Sequence, residues 1–253
     1  MIPRRTVVQG LAGLPLAAVL ADPALAQAAA DTTRLVRIRT NAGREVAGAL
    51  AVPAAKPAPA VLLIHEWWGL NDQIKAVAAD FAAQGYLALA VDLFGGRVAN
   101  TVEQARELIA AVKDDESTDT LSAWLRWLQN HNDSTRKIGT VGWCFGGGWS
   151  LRASTLVPVD GTVVYYGRVN LPKDDLAKLK GPVQGHFALR DKHITADIVR
   201  PFEQAMTELG KPYEVFWYEA DHAFANPTGN NYVKDEAQQA WRRTTEFLAK
   251  ALR

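Results

Sequence analysis

The sequence predicts an α/β fold with a mostly parallel central sheet and helices on both of its faces. Short runs rich in β-forming residues alternate with stretches of helical period along most of the chain. Six of these runs are apolar almost throughout, as expected of strands that are buried on both faces. With 253 residues, 48% of them hydrophobic, and nothing resembling an interdomain linker after residue 30, we expect one domain over residues 31–253.

The individual elements follow from periodicity and turn residues. An opening hairpin of 34–40 and 45–52 turns at Asn41-Ala42-Gly43, and 53–59 is a loop. The buried runs predicted as central strands are 60–65, 86–92, 138–143, 162–166, 183–189 and 213–218. The helical periods are 72–84, 102–114, 118–130, 147–155, 196–209 and 232–252, with Gly85 and Gly210 where C-caps are expected.

The beginning of the chain resembles an export signal. Arg4 and Arg5 precede an apolar stretch over 7–20, and two small-x-small cleavage patterns end at Ala26 and Ala28. The paired arginines resemble a twin-arginine signal, so we interpret 1–28 as a signal peptide and expect the first thirty residues to lie outside the fold. The apolar stretch is too short, and too interrupted by glycine, to be a convincing membrane span. The alternative to a cleaved signal is an uncleaved amino-terminal anchor. The predicted location is therefore periplasmic or secreted.

Composition also restricts the partners. Lys and Arg number 28 against 27 Asp and Glu, without a clustered basic face, so nucleic acid is not expected as a partner. No histidine–carboxylate grouping has metal-ligand spacing, and we expect neither a metal nor another cofactor. Membrane contact is expected only through an uncleaved signal. The chain is expected to be a monomer.

The most informative residue is Cys144, the only cysteine, within Gly142-Trp143-Cys144-Phe145-Gly146. A G-x-C-x-G segment between a strand and a helix is typical of a nucleophile elbow, where the sharp turn needs small residues two positions on either side. The alternative is a lone buried cysteine with no chemical role. A single cysteine cannot form an internal disulfide, so an exported free thiol favours the nucleophile.

Two further residues complete a catalytic hypothesis. Ligands of such sheets bind beyond the carboxyl ends of the strands, and Asp191 and His222 each follow a predicted strand. The chain order of nucleophile, acid and histidine is that of α/β-hydrolases. His222 would act as the base and Asp191 would orient its ring. Asp221 is poorly placed for this role, and we expect His131, His186 and His193 to make local or solvent contacts; His65 stays open.

Acyl transfer also needs donors for an oxyanion. We expect these to be the backbone N–H of Phe145, directly after the nucleophile, and that of Trp67, in the loop after the 60–65 strand. Trp68 and Trp143 flank the same segments and are candidate substrate-binding residues; packing in the core is the equally open alternative.

Four motifs together resemble the dienelactone hydrolase family: Ile-His-Glu-Trp-Trp-Gly-Leu-Asn at 64–71, Val-Asp-Leu-Phe-Gly-Gly at 91–96, Gly-Trp-Cys-Phe-Gly-Gly at 142–147 and Asp-His-Ala-Phe at 221–224. The resemblance covers about residues 33–252. It implies an α/β-hydrolase fold and a Cys144–His222–Asp191 triad that opens ester or lactone bonds. It further implies that Glu66 contacts the resting thiol and helps to form the thiolate when substrate binds.

The sequence departs from that family where the substrate carboxylate is held. Members of the family use two arginines, one four residues after the catalytic histidine and one shortly after the Asp-Leu motif. Asn226 stands at the first position and Gly96 at the second, with Arg97 displaced by one residue. An amide cannot form a bidentate pair with a carboxylate. The predicted function is therefore a carboxylic-ester or lactone hydrolase for uncharged apolar or aromatic small molecules. A non-catalytic binding or thiol-sensing protein on this scaffold is the alternative.

Overall fold

Eight strands form one sheet in the computed structural model, which describes residues 14–253. The strands are β1 (Arg34–Arg39), β2 (Glu45–Ala51), β3 (Ala58–Ile64), β4 (Leu87–Val91), β5 (Ser134–Trp143), β6 (Gly161–Tyr165), β7 (Val183–Ala188) and β8 (Tyr213–Tyr218). Their order across the sheet is β1-β2-β4-β3-β5-β6-β7-β8. The pairs β1–β2 and β2–β4 are antiparallel, and every later pair is parallel. The mostly parallel sheet predicted from the sequence is confirmed.

Helices cover both faces of this sheet. They are α1 (Leu16–Ala21), α2 (Pro23–Ala30), α3 (Asp72–Ala83), α4 (Val102–Ala110), α5 (Asp114–Asn130), α6 (Phe145–Leu156), α7 (Lys173–Leu176), α8 (Ala196–Glu208) and α9 (Lys234–Leu252). Val61 and Leu63 of β3 belong to the apolar cluster that contains α3 and α9, while Leu62 and Ile64 pack with α5 and α6. Since alternate residues of a strand point to opposite faces, this two-sided burial explains why β3 is apolar throughout.

Element boundaries differ from the predicted ones at several points. The helix predicted over 118–130 begins earlier, at Asp114, and the one predicted over 102–114 ends at Ala110. Three acidic residues occupy the first turn of α5, where the positive end of the helix dipole favours them. The helix after the elbow begins at Phe145, and the four-residue α7 has no predicted counterpart.

Residues 16–30 are packed onto the fold, in contrast to the expectation that the first thirty residues lie outside it. Helices α1 and α2 contact α3, and Val19, Leu20 and Ala29 are buried in the same apolar cluster as α3. Arg4, Arg5 and the start of the apolar stretch lie outside the described residues. Over 14–253, no helix combines the length and hydropathy needed to cross a membrane. The export signal itself stays a prediction.

The register of the parallel strands brings several loops to one edge of the sheet. Ile64 at the end of β3 is opposite Gly142 of β5, and Trp143 is opposite Tyr165 at the end of β6. Beyond them, Ala188 of β7 is opposite Tyr218 of β8. The segments that follow β3, β5, β6, β7 and β8 therefore meet at the carboxyl edge, where ligands of open α/β sheets bind.

Candidate active site

Cys144 stands at a sharp turn between β5 and α6. Its backbone has φ 53° and ψ −115°, in the positive-φ region that non-glycine residues seldom adopt. The two framing glycines are required by close approach of the backbone: a methyl group at Gly142 would overlap the carbonyl of Gly146, and one at Gly146 would overlap the carbonyl of Ile64. This is the geometry of a nucleophile elbow, with the half-buried thiol held at the start of α6.

The structure brings Cys144, His222 and Asp191 into one hydrogen-bonded line. His222 Nε2 lies 3.1 Å from Cys144 Sγ, and His222 Nδ1 lies 2.6 Å from Asp191 Oδ2. The other carboxylate oxygen, Asp191 Oδ1, accepts from the backbone N–H groups of His193 at 2.7 Å and Ile194 at 3.0 Å. The carboxyl group is thus fixed by its own loop, and one oxygen is left to orient the imidazole.

Electrostatics favour a charged imidazole in this line. Burial opposes protonation of His222, but the hydrogen bonds to Asp191 and Cys144 outweigh it and raise the pKa of His222 to about 10. Burial likewise opposes the charge on Asp191, yet its hydrogen bonds with His222 and His193 hold the pKa of that carboxyl below its ordinary value. Around neutral pH the site is arranged to keep a proton on His222.

The two backbone N–H groups expected to bind an oxyanion are both available. The N–H of Phe145 is at the first position of α6, where no intrahelical acceptor exists. The N–H of Trp67 belongs to a tight turn over 66–69, closed by Gly69 N–H donating to Glu66 O at 3.3 Å. Among residues 14–253 neither N–H has an acceptor within hydrogen-bonding geometry. The arrangement leaves both donors free for a substrate oxygen.

Glu66 is buried and holds two hydrogen bonds. Tyr166 Oη donates to Glu66 Oε1 at 3.1 Å, and Asn226 Nδ2 donates to Glu66 Oε2 at 2.7 Å. Burial raises the pKa of the Glu66 carboxyl, and the hydrogen bonds from Asn226 and Tyr166 oppose this shift only partly. The contact with the resting thiol that the family resemblance implies is not formed, because Cys144 Sγ bonds to His222 instead.

The two tryptophans predicted to bind substrate, Trp143 and Trp68, have different surroundings in the structure. Trp143 is buried and lines a cavity of about 500 Å³ that also borders Glu66 and Asn226. Trp68 packs edge-on against the Trp67 ring, with 5.1 Å between ring centroids. The remaining walls of this cavity come from α1, α3, β6, α9 and nearby loops; they include Leu16, Leu20, Ile74, Val77, Tyr165, Pro227, Tyr232 and Trp241.

Arg97 is not brought together with Asn226. Its side chain is exposed, its Nε donates to the carbonyl of Phe94 at 3.2 Å, and it lines a second cavity, of about 460 Å³, that includes Gly96. The guanidinium is tied to its own loop because Gly95 and Gly96 turn the chain back at this point with positive φ. Arg97 is a candidate substrate-binding residue in the sequence, which leaves open whether it replaces the missing arginines; here Arg97 and Asn226 line different cavities.

Asp221 and His186 make local contacts, whereas the His193 ring packs edge-on against His222 with 5.7 Å between centroids. Asp221 pairs with Arg190 at 3.3 Å. His186 is buried among Tyr218, Gln184 and Thr244, and burial lowers its pKa to about 3. Among residues 14–253, no cluster of three or more His, Cys, Asp or Glu side chains could hold a metal ion.

Sequence reasoning missed Tyr166. This buried residue follows β6 with φ 36°, its hydroxyl bonds to Glu66, and its ring lies 5.2 Å from that of His222, centroid to centroid. Burial and the neighbouring Glu66 carboxylate raise its pKa well above the ordinary value, so the hydroxyl stays a donor. Its place directly after a central strand was the available signal, the same one that identified Asp191 and His222.

The fold and this carboxyl-edge site define an α/β-hydrolase. The dienelactone hydrolase family profile matches residues 46–252. The chain is 29% identical over 232 residues to the carboxymethylenebutenolidase of Pseudomonas putida, an alignment that covers 86% of this chain and 96% of that protein. The chain therefore belongs to the dienelactone hydrolase family and is a hydrolase with a small-molecule substrate.

Solved structures agree with the fold. A dienelactone hydrolase-like promiscuous phosphotriesterase from metagenomic libraries superposes with a TM-score of 0.79 at 18% identity, covering 88% of this chain and all of that one. An esterase of Pyrococcus furiosus gives 0.67 at 16% identity, with 87% and 93% covered. At 18% and 16% identity, the likeness to these two structures supports the fold and not a shared activity.

Proposed function

We propose that this hydrolase cleaves carboxylic esters or lactones through an acyl-cysteine intermediate on Cys144. The observation that carries the proposal is the hydrogen-bonded line from Cys144 Sγ through His222 to Asp191, with separations of 3.1 and 2.6 Å. Its chain order and elbow setting match the arrangement of α/β-hydrolases. Membership of a family with a carboxymethylenebutenolidase relative supports an ester or lactone bond as the target.

In the acylation step, the thiolate of Cys144 attacks the carbonyl carbon and a C–S bond forms. The electron pair of the carbonyl moves to its oxygen, where the N–H groups of Trp67 and Phe145 are available as donors. When the C–O bond breaks, the proton on His222 passes to the departing alkoxide. In a lactone this alkoxide remains tethered to the acyl group.

In the deacylation step, His222 accepts a proton from a water molecule that attacks the acyl carbon. The second tetrahedral intermediate uses the same two N–H donors, and it collapses by breaking the C–S bond. The sulfur leaves as thiolate beside the newly protonated His222, which restores the starting pair. Asp191 stays ionised and holds the ring in place throughout.

The preferred substrate in this proposal is uncharged and apolar or aromatic. Asn226 is uncharged, and its side-chain amide donates to Glu66. Arg97 lines a different cavity. Neither residue therefore offers a cation for a substrate carboxylate at this position. The cavity that borders Glu66 is walled mostly by aliphatic and aromatic side chains, such as Trp143 and Ile74, and among residues 14–253 Arg242 is the one lysine or arginine that lines it. Burial of apolar groups there contributes roughly 25 cal/mol per Å².

The first test is Cys144→Ala, which removes the nucleophile while leaving the elbow backbone intact. Release of phenol from small aryl esters should fall to the uncatalysed level, and the circular dichroism spectrum should stay unchanged. Hydrolysis at the wild-type rate would contradict the proposal. Cys144→Ser should be impaired as well, because a hydroxyl is a far weaker nucleophile than a thiol paired with this imidazole.

The alternative of a binding or thiol-sensing protein predicts a different outcome. An acyl-mimicking inhibitor should add its mass to the wild-type chain and not to Cys144→Ala, as read by mass spectrometry. Failure of the folded wild-type protein to become labelled favours the alternative. A panel of lactones and aryl esters that differ only in a carboxylate group then tests the substrate preference.

Export and a monomeric state belong to the same proposal. Arg4, Arg5 and the two small-x-small patterns support a periplasmic or secreted protein. The mass of the chain from the periplasmic fraction should correspond to cleavage after Ala26 or Ala28, which would also remove α1 from the wall of the cavity beside Glu66. A full-length mass in the cytoplasmic fraction alone would contradict export. Sedimentation of the purified uncleaved chain should give a mass near its 27.6 kDa, and the cleaved chain should sediment as a correspondingly smaller monomer.

A further inference from the structure

His65 is a buried polar residue that the proposed reaction does not use. It directly follows β3, and its side chain has no solvent exposure. Its ring nitrogens contact two different loops: Nδ1 lies 2.6 Å from the carbonyl oxygen of Glu66, and Nε2 lies 3.2 Å from the backbone nitrogen of Leu93. The ring therefore joins the turn after β3 to the loop after β4.

The two contacts fix which nitrogen carries the proton. A backbone N–H can only donate, so His65 Nε2 accepts from Leu93 and must be unprotonated. Nδ1 then carries the hydrogen and donates to the carbonyl of Glu66. Burial lowers the pKa of His65, which agrees with a neutral ring in this single tautomer.

The same ring also touches the elbow. Its centroid lies 4.6 Å from that of Phe94, edge to face, and 5.9 Å from that of Phe145, with near-parallel planes. Phe145 carries one of the two expected oxyanion donors, and Trp67, two residues after His65, carries the other. One imidazole thus contacts each of the segments that must be held in place for these donors to converge.

We propose that His65 is a positioning residue that fixes the 66–69 turn against the elbow and thereby aims the oxyanion-binding N–H groups. The inference rests on the proposed acyl transfer. Without the bond from Nδ1, the peptide that joins Glu66 to Trp67 keeps only the longer bond of 3.3 Å from Gly69 N–H to its carbonyl. This peptide contains the Trp67 N–H, whose direction is then held less firmly. Catalysis by such donors depends on their aim within fractions of an ångström.

Three substitutions separate positioning from simple packing. Glutamine offers one N–H donor and one carbonyl acceptor at about the spacing of the two ring nitrogens, asparagine reaches only the nearer partner, and leucine keeps apolar volume without either bond. We expect His65→Leu to lower kcat for an aryl ester by roughly 10²-fold, the effect of losing one oxyanion donor. KM should change little, because the oxyanion exists only in the transition state. His65→Gln should restore most of kcat and His65→Asn part of it.

A second readout excludes general damage to the site. Alkylation of Cys144 by iodoacetamide needs the thiolate but develops no oxyanion, so its rate should match wild type in all three variants. His131→Gln is the matched control and should leave both rates unchanged, because His131 follows the end of α5 and its ring packs at a tilt against Trp127. If His65→Leu does not fold, the comparison of His65→Asn with His65→Gln carries the test.

Wild-type kcat in His65→Leu or His65→Asn would overturn the inference. Equal losses of hydrolysis and alkylation would also overturn it, because they would show that the residue merely supports the fold of the site. These outcomes are distinct from failure of the proposed function, which would appear as ester hydrolysis by Cys144→Ala.

Discussion

Replacing Asp191 with asparagine would change one atom of the Cys144–His222–Asp191 line and preserve its shape. The orientation of the new amide is set by the loop. Asp191 Oδ1 accepts from the backbone N–H groups of His193 and Ile194, so the asparagine must keep its carbonyl oxygen there. Its NH₂ group then faces His222 Nδ1, where Asp191 Oδ2 now accepts at 2.6 Å.

The consequence is a reversed imidazole tautomer. Facing a donor, His222 Nδ1 must accept, and the ring proton moves to Nε2, the atom that lies 3.1 Å from Cys144 Sγ. A neutral ring in that state cannot take a proton from the thiol or from water. A triad locked in the wrong tautomer loses about 10⁴-fold in kcat, or about 5 kcal/mol of transition-state stabilisation, and we expect a loss of this size.

The pH dependence should change in a defined direction. Asp191 is a main cause of the raised His222 pKa, which lies at about 10, so its neutralisation lowers that pKa and moves the alkaline limb of kcat to lower pH. Stability follows the same linkage. The folded pKa of His222 is above its ordinary value of 6.5, so its contribution is complete below pH 6.5 and is lost as pH rises through about 10. Urea unfolding of Asp191→Asn should show a smaller decline over this interval.

The assay is steady-state hydrolysis of an aryl ester across this pH range, with kcat and KM fitted separately. Asp221→Asn is the matched control, because Asp221 is adjacent to His222 in sequence but pairs with Arg190. It should retain wild-type kcat. Activity of Asp191→Asn within tenfold of wild type, or an unmoved alkaline limb, would refute the argument from the fixed amide and the imidazole tautomer.

Three further substitutions test the elbow, the Glu66 contacts and substrate choice. Gly146→Ala should lower the free energy of unfolding by about 3 kcal/mol in urea titrations, since its methyl overlaps the carbonyl of Ile64, while Gly148→Ala in the same helix should cost much less. Tyr166→Phe leaves Glu66 Oε1 without its donor and should cost roughly 1–3 kcal/mol by the same measurement. Asn226→Arg should raise kcat/KM for carboxylate-bearing lactones over neutral analogues by roughly tenfold or more; no change would mean that this position does not face the substrate.

The sequence was sufficient for the sheet and for much of the proposed site because both depend on local rules. Strands buried on both faces are apolar throughout, and the chain beyond their carboxyl ends lies at one edge, so Cys144, Asp191 and His222 could be placed together in advance. The glycines at 142 and 146 marked the elbow through sterics alone. None of these inferences needed the order of the strands.

Other features depend on contacts between distant segments. Tyr166 resembles a core aromatic in sequence, and its hydroxyl bonds to Glu66, which is 100 positions away in the chain. The apolar residues before position 30 are typical of a signal, yet the same property lets Val19 and Leu20 pack on α3. Arg97 was one residue from an expected position, but the Gly95–Gly96 turn takes it to another cavity.

The replacement of arginine by Asn226 bears on how the thiol is controlled. The family resemblance implies that Glu66 contacts the resting thiol and helps to form the thiolate when substrate binds. Here the neutral amide of Asn226 and the hydroxyl of Tyr166 already bond to both carboxyl oxygens of Glu66, and Cys144 is paired with His222. Both donors can hold Glu66 whether or not it is ionised, which suits a carboxyl whose pKa is raised by burial. In the proposed mechanism the sulfur and its base are paired before substrate binds, so we expect no charged trigger. The proposed preference for uncharged substrates agrees with this expectation.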